Sequence, residues 1–202
     1  MTLSAGESLI FRNCELDMDH ASYLRYLISR HDALNMPYPF AIKLSFLASP
    51  LALGRATLIH GEDSYEKIGA FGFVYGTGPG EYEDRENCQI ETVFIEPDSR
   101  SPVVFLAAAR ALVDSIREGN PDAAYVQFWT VADHDPNERL FARIARLPGA
   151  ARTVVEGLAL YKAPLSELDA WIGGLASRLA RRGALPEAII TPHEKKQMAP
   201  QA

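Results

Sequence analysis

The sequence predicts an α/β (α+β) chain: a mixed, mostly antiparallel sheet of six or seven strands, helices on both faces, and an amphipathic helix toward the C-terminal end. Three observations lead there. The stretch Gln89–Ile116, QIETVFIEPDSRSPVVFLAAARALVDSI, reads as strand, turn and helix, and a further strand, Ala123–Val131, follows it. A helical crossover of that length joins parallel neighbours, whereas an antiparallel pair needs only a short turn. Elsewhere, strand-like runs succeed one another across polar turns, and helical runs with one apolar stripe supply layers to pack on the sheet.

The central unit has its own punctuation. Gln89–Ile95 alternates and is rich in β-branched and aromatic residues, as a buried strand requires. Glu96-Pro97-Asp98 ends it, because proline cannot donate to a ladder and Asp favours turns. Ser101 is an N-cap, with Pro102 at the first helical position, where a missing N–H costs nothing. Phe105, Leu106, Ala109, Leu112, Val113 and Ile116 follow as one stripe. A strand running into a helix N-terminus can hold an anionic group.

The segment IETVFIEPDSR resembles the central motif of the GNAT superfamily of acyl-CoA N-acyltransferases. Glu91 falls on its frequent acidic position, Pro97 on its proline, and Arg100 where its Gln/Arg-x-x-Gly-x-Gly/Ala signature begins. The order β-α-(α)-β-β-β-α-β-α-β is also similar, through Pro164. The resemblance implies an acyltransferase domain over residues 1–165; outside it, 166–192 reads as a helical extension and the polar segment 193–202 as a disordered tail. It implies acetyl-CoA or another acyl-CoA as donor, and direct attack by a small-molecule or protein amine. It places the thioester against the backbone of Val93, Phe94 and Ile95, and the pyrophosphate at Arg100, Ser101 and Val103. Here the chain departs from the pattern: Val103 and Phe105 replace small residues and Pro102 removes a donor, so weak cofactor binding is expected. An acyltransferase fed by acyl-carrier protein, as in the acyl-homoserine-lactone synthases of this fold, tolerates such a change. A catalytically inactive binding or assembly module is the other alternative.

The bulk composition narrows the classes. An apolar content of 48% supplies a sizeable core, and a net charge of −6 argues against a nucleic-acid partner, which needs a basic face. Cys14 and Cys88 have no CxxC spacing and read as reduced thiols. No run reaches the ~20 apolar residues of a membrane span. MTLSAGESLIF lacks the basic start and apolar core of a signal peptide, so a cytoplasmic protein is expected. The five histidines are scattered, and no metal site is expected.

Ser8–Cys14 reads as a strand, and Asp19 opens a helix over Ala21–Arg30. His31–Gly54 holds Pro37, Pro39 and Pro50, with a short helix at Ile42–Ala48; it is either an acceptor-pocket wall, as the resemblance implies, or a packing loop. Arg55–His60 and Ile68–Thr77 form a hairpin, and Gly69 and Gly72 mark a bulge or a close backbone approach. Gly76–Asn87 is a solvated acidic loop or a surface for a basic acceptor. Pro136–Ile144 is a helix and Ala151–Lys162 a last strand. Ser166–Gly183 is an amphipathic helix with capping-box spacing at Ser166 and Asp169; it docks on its own domain or makes a homodimer contact.

Acyl transfer to an amine needs a base, a polarised carbonyl and a proton for the leaving thiolate. Strand alternation puts Gln89, Glu91, Val93 and Ile95 on one face, and a carboxylate on an apolar face is costly unless used or paired. Glu91 is therefore the candidate base; its alternative is a structural Glu paired with a neighbouring Arg or Tyr. The family's tyrosine acid has no counterpart in NERLFARI, which leaves Tyr125, Tyr161, Cys88 and His134 as candidates.

Overall fold

The computed structural model describes residues 9–61, 65–132 and 138–181. Seven strands are β1 (Leu9–Asn13), β2 (Gly54–Gly61), β3 (Lys67–Tyr75), β4 (Asn87–Ile95), β5 (Tyr125–Val131), β6 (Ala151–Val155) and β7 (Leu158–Pro164). They make one sheet in the order β1-β2-β3-β4-β5-β7-β6. Every neighbouring pair is antiparallel except β4 and β5, which are parallel. The expected mixed, mostly antiparallel sheet is thus present, with its parallel pair where the helical crossover requires it.

Helices cover both faces. On one side lie α1 (Asp17–Ile28) and α2 (Phe40–Leu53); on the other lie α3 (Pro102–Gly119), α4 (Glu138–Ile144) and α5 (Leu165–Arg181). Tyr23, Leu27 and Leu47 pack with Leu58, Ala70 and Phe94 to form the first core layer. Leu106, Val113, Ile116, Leu165 and Ile172 pack with Phe71, Phe73, Cys88 and Val126 to form the second. Among the described residues no helix is long and apolar enough to cross a membrane.

Several sequence expectations need correction. Strand β1 stops at Asn13, before Cys14, and Ser8 lies outside the described residues. The N-cap of α1 is Leu16; Asp19, at its third position, accepts from the Leu16 N–H and pairs with Arg12 at 2.6 Å. The short helix expected at Ile42–Ala48 runs instead from Phe40 to Leu53, straight through Pro50. Proline cannot donate to the carbonyl four residues back, and the Ser49 hydroxyl takes up that Phe46 carbonyl at 3.2 Å.

The last strand is a hairpin. Ala151–Lys162 divides into β6 and β7 at Glu156-Gly157, both with positive φ (49° and 81°), the backbone of a tight two-residue turn. Helix α5 begins at Leu165, and Asp169 does not close a capping box; it reaches α3 to pair with Arg110 at 2.8 Å and with Arg117. In α3 the Ser101 cap and Pro102 stand as expected, but the buried side of the first turn is Val104, not Phe105, which stays half-buried outside the core clusters. Pro136, Asn137, Arg182, Gly183 and the segment 193–202 lie outside the described residues.

Candidate functional site

The site is made by two departures from regular sheet geometry. The first is a splay: β4 and β5 pair only from Asn87–Tyr125 to Ile90–Phe128, although β4 continues to Ile95. The second is a bulge: Phe73 pairs with Ile90 and Gly72 with Thr92, so Glu91 is an extra residue opposite none. Glu91 thus stands where the parallel ladder ends, at the mouth of the opening between the two strands.

The bulge also reverses the alternation of β4. Ile90 and Cys88 pack on the α3 side, yet beyond the bulge it is Ile95 that does so, while Phe94 joins the α1/α2 core. The expectation that Gln89, Glu91, Val93 and Ile95 share one face therefore fails. One extra residue shifts a period-2 pattern by half its period. Gly72 permits the arrangement. A Cβ there would lie 2.3 Å from Tyr23 Oη and 2.8 Å from Pro50 Cγ, so both the bulge and the close approach expected of it are real.

Glu91 sits largely out of solvent. Burial pushes its carboxyl up from 4.5 to about 7, against a smaller lowering by Gln89, whose Nε2 donates to Glu91 Oε1 at 3.0 Å. Gln127, opposite Gln89 on β5, donates to Gln89 Oε1 at 3.0 Å, so two buried amides orient the carboxylate in series. No ion pair to Glu91 exists among the described residues. The carboxylate lines a recess of about 40 Å3 with Asn35, Tyr38, Phe46, Trp129 and Leu158. The Tyr38 phenol, raised by burial and then by Glu91, keeps its proton at neutral pH. Asn35, Met36, Pro37, Tyr38 and Phe46 line this recess, and Leu34, Met36 and Leu47 of the same region pack in the α1/α2 core. A larger groove of about 510 Å3 on α1 and the start of β3 shares no residue with it.

The remaining candidates divide. Glu96 N–H donates to Ile68 on β3, and strand alternation then directs the Val93 and Ile95 N–H groups away from β3, into the opening. Val93 is 53% exposed there, whereas the Phe94 side chain is buried in the α1/α2 core. Arg100 is exposed and donates from Nε to the Ile95 carbonyl at 3.0 Å, which holds it on the open edge of β4. Ser101 Oγ accepts from the Val104 N–H at 3.2 Å, and its carbonyl accepts from Phe105. With Pro102 lacking a donor, Val103 supplies the first-turn N–H of α3 that has no acceptor among the described residues. The turn fits an anion, with a reduced donor set.

The acid candidates are elsewhere. Tyr161 is buried, stacked on Phe128 at 5.1 Å, and its hydroxyl accepts from Arg152. Tyr125 lies under the Lys162 ammonium at the far end of β5. Cys88 is core, and burial pushes its thiol up. His134 lies outside the described residues. Tyr38, Trp129 and Gln127 were not identified from sequence. Gln127 alone carries a signal, a polar residue on the expected strand directly across from the Gln89–Glu91 pair.

Comparison with known proteins places this geometry. No family model matches the chain, and no curated protein does. Solved structures do. A GCN5-related N-acetyltransferase from Brucella melitensis is 17% identical, covers 84% of this chain and 83% of its own, and superposes with a TM-score of 0.51. The ribosomal-protein-S5-alanine acetyltransferase from Vibrio fischeri is 9% identical over 79% of this chain and 94% of its own, with a TM-score of 0.54. An acetyltransferase from Agrobacterium tumefaciens is 16% identical over 81% and 94%, with a TM-score of 0.52. At such identities the likeness concerns the fold, and together with the splayed β4–β5 pair it shows that this chain has the fold of the GNAT superfamily.

Proposed function

We propose that the chain is an N-acyltransferase that moves an acyl group, acetyl by default, from acyl-CoA to an amine acceptor by direct attack. One observation carries this reading: a carboxylate with its pKa raised to about 7 stands at the point where β4 and β5 part. A base that titrates near neutrality is half-ionised at the working pH and can take a proton from an arriving ammonium. Glu91 has that role, and Gln89 and Gln127 hold it in position. The Val93 and Ile95 N–H groups face the opening and donate to a carbonyl oxygen placed there. Acyl-CoA, when bound, supplies the electrophilic thioester. Arg100, the Ser101–Val103 turn and the N-terminus of α3 would hold its phosphates. The neighbours from Brucella melitensis and Vibrio fischeri, named as N-acetyltransferase and alanine acetyltransferase, support an amine acceptor.

A second reading has its own support. The first turn of α3 offers few donors for a pyrophosphate, which favours a donor presented by acyl-carrier protein, or a chain that binds without catalysing. Acetyl-CoA titration by calorimetry, followed by thiol-release assays with a panel of amines, tests the choice. The expected result is binding that survives Glu91→Gln, with turnover that the same change lowers by about 100-fold or more. Neither binding nor turnover with acetyl-CoA overturns the leading reading.

A further inference from the structure

We propose that the acceptor is a primary amine on an apolar, aromatic-sized body without a carboxylate, its amine beside Glu91 and its body on Trp129 and the open sheet face of β5, β7 and β6. This rests on the transferase reading above. The argument begins with what covers the sheet. Helix α2 packs over β2, β3 and β4. On that same face, alternation from the buried Val126, Tyr161 and Ala163 of the other side places Gln127, Trp129, Val131, Leu158, Leu160 and Val155. Trp129 is 39% exposed and Val155 49%, so the described residues leave an apolar shelf uncovered.

The shelf continues into the recess. Trp129 and Leu158 belong to both, and the Tyr38–Phe46 ring pair, with centroids 5.2 Å apart, forms the opposite wall. A water needs about 10–15 Å3 on this measure, so the roughly 40 Å3 beside Glu91 admits an amine head and a methylene or two. Anything larger must lie outward, where it meets the Trp129 ring.

Charge selects further. Among the described residues lining the recess, Glu91 is the one carboxylate and none is cationic. An acceptor carboxylate would be desolvated without a partner and repelled by Glu91. Among the described residues of the shelf the one cation is Lys162, which lies over the Tyr125 ring at 4.5 Å, beyond Gln127 from the recess. A polyamine would find one acid for several ammonium groups. An aromatic body gains both area burial and ring contact with Trp129.

The test uses the full chain with acetyl-CoA and three acceptors: 2-phenylethylamine, phenylalanine, which adds only the carboxylate, and spermidine. The expected kcat/KM for 2-phenylethylamine exceeds both others by about tenfold or more, a difference near the value of one good contact. Trp129→Ala raises its KM about tenfold with kcat within about threefold, and Trp129→Phe restores most of the loss. Equal or better use of phenylalanine or spermidine overturns the proposal, as does a KM indifferent to Trp129. So does a Trp129→Ala variant that changes only the sedimentation state, which would assign the shelf to a second copy. Should no amine be turned over, the transferase reading fails separately, and equilibrium dialysis decides the acceptor class. Trp129-dependent preference for 2-phenylethylamine over phenylalanine keeps it; no preference overturns it.

Discussion

Gln89 donates from Nε2 to Glu91 Oε1 at 3.0 Å, two residues along the same strand. Alternation puts the two on one face, and the bulge leaves Glu91 without a partner on β3. Its effect opposes burial: the donor favours the charged carboxylate and burial the neutral one, with burial the larger. Removing the donor should therefore raise the kinetic pKa seen in kcat/KM. Gln89→Leu is expected to move it up by about one unit, since a hydrogen bond to a charged group contributes roughly 1.5–3 kcal/mol. Gln127→Leu should shift it less, in the same direction. A pH–rate profile checks both, and an unmoved pKa would detach the amides from the base.

Glu91 itself is predicted to lower stability where it is ionised. Its folded pKa of about 7 exceeds the ordinary 4.5, so its stabilising contribution is complete below about pH 4.5 and is lost as pH rises through about 7. Glu91→Gln removes that loss. The variant should be more stable than the parent at pH 8, by a figure on the order of 3 kcal/mol, while turnover falls by about 100-fold or more. Urea melts at pH 4.5 and pH 8 measure the first half and thiol release the second. A variant less stable than the parent at pH 8 would mark Glu91 as a structural residue.

Tyr23 and Gly72 should be energetically coupled. The Tyr23 hydroxyl is fully buried without a hydrogen-bond partner among the described residues, and it fills the space a Cβ at Gly72 would need. Gly72→Ala is expected to cost about 1–3 kcal/mol through overpacking. Tyr23→Phe, which deletes an unsatisfied oxygen, should gain about 1 kcal/mol. The double variant should lose less than Gly72→Ala alone, a coupling that a double-mutant cycle in urea resolves.

The proposed phosphate turn implies a cofactor affinity below the usual and set by one side chain. Arg100 spends Nε on the Ile95 carbonyl and has its terminal nitrogens to offer. Arg100→Ala should weaken acetyl-CoA binding about tenfold or more, at 1.4 kcal/mol per decade. Val103→Gly should strengthen it by opening the turn, at about 1 kcal/mol of helix stability. Calorimetry reads both; tight binding indifferent to Arg100 would place the phosphates elsewhere.

Local patterns carried much of this protein. The strand–turn–helix unit, the Ser101 cap, the parallel pairing of its flanking strands and the identity of Glu91 as the unusual carboxylate were all legible, because each depends on neighbours within a turn or a strand. The length of α2 was not, since Ser49 rescues the carbonyl that Pro50 abandons and the burial of Pro50 against Gly72 is a long-range contact. Nor was the Glu156-Gly157 hairpin, which hides in a run with no obvious break.

The sequence by itself singled out Glu91 as a carboxylate on a strand due to be buried; the tertiary structure decided what surrounds it and which way its neighbours face. Alternation predicts a face only while the ladder is regular, and the bulge at Glu91 breaks it through a pairing with β3 that no local pattern encodes. Tyr38 and Trp129 come from a loop and a strand separated by about half the chain and join Glu91 where β4 and β5 part, while Gln127 reaches it through Gln89 in the paired stretch. The raised pKa of Glu91 has the same origin. Desolvation is a property of everything packed around a group, so it arises only when the chain has closed upon itself.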